Sequence, residues 1–174
     1  MAYWLVKSEP SSWSWDQQVA KGAKGEAWTG VRNFTARQNL VNMKKGDRVF
    51  FYHSNEGKEI VGIAEVIKEA YPDPTDKTGK FVCVDLKADK PLKTPVTMAA
   101  IKADKRLSGM ALVKYSRLSV QPVARRIATP SLQLYSASAS VSALRRRLRT
   151  ASASEFSSAR LSSQPMQASV MLKP

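Results

Sequence analysis

The sequence predicts an α+β fold, on three observations. Five short runs have strand chemistry: residues 3–6, 47–53, 60–67, 81–86 and 115–121. Helix-start signals at Ser14, at Asn33 or Thr35, and at Thr97 fall between some of those runs but not all. No regular strand–helix–strand alternation links them, so a doubly wound parallel sheet is not expected. A chain of 174 residues, 43% of them hydrophobic, is long enough for one core without a second domain. A small barrel with helices at its ends would use this order well.

Each element has a local reason. Tyr3-Trp4-Leu5-Val6 is aromatic and branched, as strands prefer. Pro10 disfavours helix at Glu9, so the strand opens into a loop. Ser14 with Gln17 three residues on makes a capping box, and a short helix to about Ala20 follows. Gly22 and Gly25 end it. Asn33 or Thr35 caps a second helix, with Phe34, Leu40 and Val41 as its apolar positions. Lys44-Lys45-Gly46-Asp47 is a turn. In the strand after it, Val49, Phe51 and His53 share one face, and Arg48, Phe50 and Tyr52 the other. Gly62 in the next strand marks a bulge or a close backbone approach. Pro72-Asp73-Pro74-Thr75 is a turn. After the strand at 81–86, Pro91 and Pro95 fix an extended connection. Thr97 caps a helix to about Ala103, and residues 107–113 are apolar but ambiguous. In the last strand Arg117 and Ser119 lie on one side.

Charge narrows the partners. The net charge is +14 and the isoelectric point is near 10.1. Such a surplus favours polyanions, nucleic acid before an anionic membrane. One cysteine, Cys83, excludes an intrachain disulfide, and with a single histidine, His53, no structural zinc site is expected. No pattern calls for a metal or another cofactor. No apolar run approaches the roughly 20 residues of a membrane span. No signal-peptide pattern opens the sequence. The expectation is an intracellular monomer without membrane partners, cytoplasmic, or nuclear in a eukaryote.

The charge is uneven. Residues 1–124 carry 20 Lys+Arg and 13 Asp+Glu, and residues 125–174 carry 8 Lys+Arg and only Glu155, so each part nets +7. Arginine replaces lysine beyond residue 124, and Ser and Ala dominate. The expected organisation is a domain over 1–124 and a basic Ser/Ala/Arg-rich tail over 125–174. For the tail three readings stand: a disordered basic arm, a helix near residues 141–148, or translation in a shifted reading frame.

The richest ten residues are Trp28 to Arg37. Trp28 can stack on a ring, Arg32 and Arg37 can reach phosphate or a carbonyl, and Asn33 offers donors and acceptors to a base edge. The same residues serve equally as a core tryptophan, a turn glycine (Gly30) and a solvated charged face.

Longer motifs go further. Tyr3-Trp4-Leu5-Val6-Lys7-Ser8-Glu9-Pro10, Trp28 to Asn33 with Ala36-Arg37, Gly46-Asp47 with Phe51-Tyr52-His53-Ser54, Pro95-Val96-Thr97, and Ser116 to Pro122 stand in this order. Through them residues 2–123 closely resemble the EVE-domain proteins, small members of the PUA-like superfamily related to YTH and ASCH domains. The resemblance implies a PUA-like mixed β-barrel with short helices and a concave pocket near these motifs. It also implies recognition of a modified base: YTH domains hold methylated adenine in an aromatic cage, and EVE domains are associated with modified cytosine in DNA. Two departures stand out. Thr29 replaces the family's usual Asp, and the family's short acidic closing segment is replaced from Arg125 onward.

The pocket reading assigns ligand contacts to Lys7, Ser8, Glu9, Trp28, Gly30, Val31, Arg32, Asn33, Arg37, Tyr52, His53, Ser54, Arg117 and Ser119. Trp28 would stack on the base. Lys7 and Ser8 would donate to a carbonyl or phosphate, and Glu9 would accept from an exocyclic amine. Arg32 and Asn33 would read polar edges. His53 serves equally as a satisfied core histidine, and Arg117 as a bridge to a carboxylate. Trp4, Trp13 and Trp15 are expected mainly as core or staple residues. Catalysis is not expected. Ser8 or Ser54 beside His53 can be written as a nucleophile pair, but no acid orients it. The function expected is a non-catalytic reader of modified DNA. The alternatives are an RNA-binding module and, behind it, a small nucleotide-processing enzyme using His53.

Overall fold

The structure, a computed structural model, describes residues 1–128. Its centre is a pair of parallel strands, β1 (Tyr3–Ser8) and β3 (Arg48–His53), in register from Tyr3 opposite Arg48 to Ser8 opposite His53. Around them the sheet runs β2 (Glu26–Ala27), β5 (Val82–Thr97), β4 (Glu59–Pro72), β3, β1, β6 (Val120–Val123), all other pairs antiparallel. The fold is therefore α+β, as expected. The barrel expectation is corrected: β2 and β6 end the ladder and do not pair, so the six-stranded sheet stays open.

Both faces of the sheet are buried, and the two-residue period decides which side chain goes where. Trp4, Val6, Val49 and Phe51 enter one apolar cluster, while Leu5, Phe50 and Tyr52 enter the other. The first cluster is closed by α1 (Trp15–Ala20) and α2 (Phe34–Asn42), the second by α3 (Met98–Ala103) and α4 (Ala111–Lys114).

The helix starts follow their caps. The Ser14 side chain accepts from Gln17 N at 3.1 Å, and Gln17 Oε1 accepts from Ser14 N at 2.7 Å. Asn33, rather than Thr35, caps α2 through Ala36 N, and Thr97 caps α3 through Ala100 N. Gly62 fills both expected roles. The β3–β4 and β4–β5 registers shift beside it, and a Cβ there would lie 2.3 Å from the Trp15 ring.

Three expectations are corrected. The buried face of α2 is Ala36 and Leu40, while Phe34 is 66% exposed and Val41 points partly to solvent. Pro91 and Pro95 lie inside β5, beyond the two residues that β2 pairs with, so one side of this stretch is a sheet edge where proline is tolerated. Residues 115–119 form a turn, not a strand, so the alternation that put Arg117 and Ser119 on one side does not apply. Past the expected boundary, residues 125–128 are helical, and Ile127 and Ala128 are buried in the second cluster. The tail readings for residues 129–174 lie outside the described residues.

Candidate functional site

Parallel pairing brings two sequence motifs to one end of the sheet. The β1 exit, Lys7-Ser8-Glu9, lies beside the β3 exit, Tyr52-His53-Ser54, and Ser54 N donates to Ser8 O at 2.8 Å. Between the β1 exit and the Trp28–Arg32 loop opens a cleft of about 390 Å³, within the range of small-molecule sites. Seven expected residues line it: Lys7, Ser8, Trp28, Gly30, Val31, Arg32 and Ser119. Ser12, Trp13, Glu26, Ala27 and Thr29 join them.

Lys7 crosses to the 115–119 turn that leads into β6. Its Nζ donates to Ser116 O at 2.8 Å and Tyr115 O at 3.4 Å, leaving a third ammonium donor for a ligand. Burial pushes its pKa below the usual lysine value. Ser8 Oγ donates to Trp13 O at 2.8 Å, so the hydroxyl oxygen is left to accept.

The aromatic roles are redistributed. Trp28 is only 8% exposed and meets Phe51 edge-on at 5.4 Å, so it is a core tryptophan with one rim on the cleft. Trp13, expected as a core or staple residue, is only partly buried and also lines the cleft. Its Nε1 donates to Gln18 Oε1 at 2.9 Å, and the Lys21 ammonium lies 5.4 Å from its ring centroid. Gln18, fully buried, donates onward to Leu86 O at 2.7 Å, tying helix, indole and sheet together. The carboxylate at the cleft is Glu26, paired with Lys21 at 2.6 Å, not Glu9. Glu9 is exposed and accepts from Asn55 Nδ2 at 2.6 Å.

Arg32 and Asn33 are engaged by the protein. Arg32 Nη1 donates to Asp73 Oδ2 at 2.7 Å, Nη2 donates to Thr75 Oγ1 at 2.8 Å, and the guanidinium lies over Phe81. Asp73 Oδ2 also accepts from Gly30 N at 2.9 Å, so one buried carboxylate clamps both ends of the Gly30–Arg32 loop. Burial alone would raise its pKa. Donors from Arg32, Thr75 and Gly30 outweigh that and hold it at about 2. Arg32 is thus a cleft wall that is also ion-paired, and Asp73 is a positioning residue that the sequence did not single out. The Asn33 carbonyl is spent on its cap, and the residue lines a second cleft together with Arg117.

Four other expected contacts lie elsewhere. Tyr52 is buried in the second cluster, on the opposite sheet face, because it alternates with Phe51. Ser54 is tied to β1 by its backbone N–H and lines neither cleft. Arg37 is half-buried on α2 and lines neither cleft. His53 Nε2 accepts from Trp15 N at 3.1 Å, and its ring meets Phe51 edge-on. Burial lowers the His53 pKa, while Glu59 and Asp16 partly oppose it. It is a satisfied histidine that anchors the start of α1.

Among the described residues no helix is long and apolar enough to cross a membrane. Comparisons with known proteins identify the family and the fold. The EVE domain family model matches residues 2–129. Thymocyte nuclear protein 1 of Mus musculus is 35% identical over 153 residues, covering 70% of this chain and 68% of that protein. The solution structure of a Rhodopseudomonas palustris protein is 72% identical, with a TM-score of 0.73 over 77% of this chain and 92% of that one. The crystal structure of human THYN1 protein in complex with 5-methylcytosine-containing DNA is 30% identical, with a TM-score of 0.71 over 78% of this chain and 98% of that one. A family match over most of the chain, and a sheet that superposes on these relatives, place the chain in the EVE-domain family.

Proposed function

We propose that this chain is a non-catalytic nucleic-acid-binding module that holds a modified base, 5-methylcytosine in DNA, in the cleft at the β1 exit. The observation that carries the reading is the chemistry gathered there. Trp13 and the Trp28 rim give a flat ring a surface to stack on. Glu26 is a carboxylate of the type that accepts from the cytosine 4-amino group. Lys7 keeps a donor for a base carbonyl or phosphate. Ala27 and Val31 offer apolar surface to a methyl group. The human relative solved with 5-methylcytosine-containing DNA supports the choice of base.

Hydrolysis is disfavoured by positive commitments. His53 Nε2 is turned to a backbone N–H and Ser8 Oγ to a backbone carbonyl, so the Ser8–His53 nucleophile pair is not assembled.

The test is binding of the full chain to matched single strands carrying cytosine, 5-methylcytosine, 5-hydroxymethylcytosine, adenine or N6-methyladenine, at one salt concentration. Salt is fixed because phosphate contacts alone move affinity by orders of magnitude. Burying one methyl group is worth about 0.8 kcal/mol, so about a fourfold preference for 5-methylcytosine over cytosine is expected. Trp13→Ala should abolish it. Trp28→Ala is a poorer control, because it would hollow the core. Equal, salt-sensitive binding to every strand, with Trp13→Ala unchanged, would reduce the chain to a nonspecific polyanion binder.

A further inference from the structure

A second cleft of about 660 Å³ opens on the other side of the 115–119 turn. Chain neighbours divide the two. Arg32 and Ser119 line the first, while Asn33 and Leu118 line the second. Adjacent Cα atoms lie about 3.8 Å apart, so the shared wall is one residue step thick on both sides. Lys7 braces this wall from the first cleft by holding the carbonyls of Tyr115 and Ser116, which line the second.

The second cleft has its own chemistry. Tyr115, 60% exposed, presents an aromatic ring at it. Lys114 and Arg117 are both exposed, and no carboxylate among the described residues pairs with either. Asn33 spends its carbonyl on Ala36 N and keeps its amide donor, while Asn39 spends its amide on Val120 O and keeps its carbonyl. An aromatic face, two unpaired cations, one free donor and one free acceptor match the parts of a nucleotide: ring, phosphate and base edge.

We propose that this cleft is a subsite for the nucleotide next to the modified base, its ring on Tyr115 and its phosphate between Lys114 and Arg117. The inference rests on the nucleic-acid reading of the first cleft, and adds that a strand is gripped at two adjacent nucleotides.

The test uses the full chain and single-stranded decamers with one central 5-methylcytosine. The neighbouring nucleotides are intact or replaced, one at a time, by an abasic spacer. Stacking of one base on an aromatic side chain is of the size that changes affinity about tenfold. One abasic neighbour should therefore weaken wild type about tenfold, and weaken Tyr115→Ala less than twofold. Arg117→Gln should lower the slope of log affinity against log salt by about 0.7 and leave the abasic effect intact. Tyr115→Ala binding like wild type, or losing equally on intact and abasic strands, would overturn the subsite; so would a full chain that binds none of these strands. If the Tyr115 effect appears without preference for the methyl group, the second subsite stands and the 5-methylcytosine reading of the first cleft fails.

Discussion

At the residue scale, single buried groups set the cleft's shape. Asp73 holds Gly30 N and the Arg32 guanidinium with one oxygen. Asp73→Asn keeps the shape but removes the charge, and should cost about 1–3 kcal/mol. The lower end is expected, because the Arg32 side chain is 39% exposed and solvent screens it. Urea unfolding measures the loss, and the same variant should weaken binding of the 5-methylcytosine strand by loosening the cleft wall. Gly62 is set by contact instead. A Cβ there would meet the Trp15 ring at 2.3 Å, so Gly62→Ala should destabilise by about 1–3 kcal/mol. An unchanged urea midpoint would show that Trp15 can move away at no cost.

At the element scale, two of the capped helices separate stability from binding. Ser14 caps α1, and Trp13 precedes it on the cleft. Thr97 caps α3, which packs on the second cluster behind the sheet. Ser14→Ala and Thr97→Ala should each cost about 1 kcal/mol. Only Ser14→Ala should also reduce the preference for the modified base, which paired unfolding and binding curves would show. These helix starts were legible in the sequence, because a cap needs only partners three residues away. The strand cores were legible for the same reason: Val49 and Phe51 alternate with Phe50 and Tyr52 wherever the chain is extended. The ends of β4 and β5 were not, because their length comes from cross-strand pairing, and prolines at 91 and 95 read locally as a connection. The cleft was half legible. Its motif residues were visible, but the Asp73 contact spans 41 residues of sequence, and Pro72-Asp73-Pro74 looks locally like any turn. Glu26 could not be told from Glu9 without knowing that β2 pairs with β5.

At the scale of the whole molecule, acid should weaken the domain in two stages. His53 is less basic folded than unfolded, so the unfolded chain takes the proton first. Its stabilisation is fully present above about pH 6.5 and is lost as pH falls below that. Asp47 is buried and accepts from Ala2 N, Trp4 Nε1 and Lys44 N. Burial would raise its pKa, but these donors outweigh it, and the carboxyl sits below its ordinary value. Asp47 and Asp73 therefore add stability above about pH 4 that is lost as pH falls toward 2. Urea midpoints across this range should fall in both stages, and His53→Gln should remove the first. The central claim, that the modified base enters the cleft at the β1 exit, has four natural reporters. Trp13 and Trp28 line the cleft, whereas Trp4 is bonded to Asp47 at the far end of β1, about 13 Å along the strand from Ser8. The decisive measurement is the set of four indole N–H signals in a nuclear magnetic resonance titration with matched cytosine and 5-methylcytosine strands. Trp13 and Trp28 should shift further with the methylated strand while Trp4 stays in place. A strand that binds tightly and leaves Trp13 and Trp28 unmoved would contradict the account.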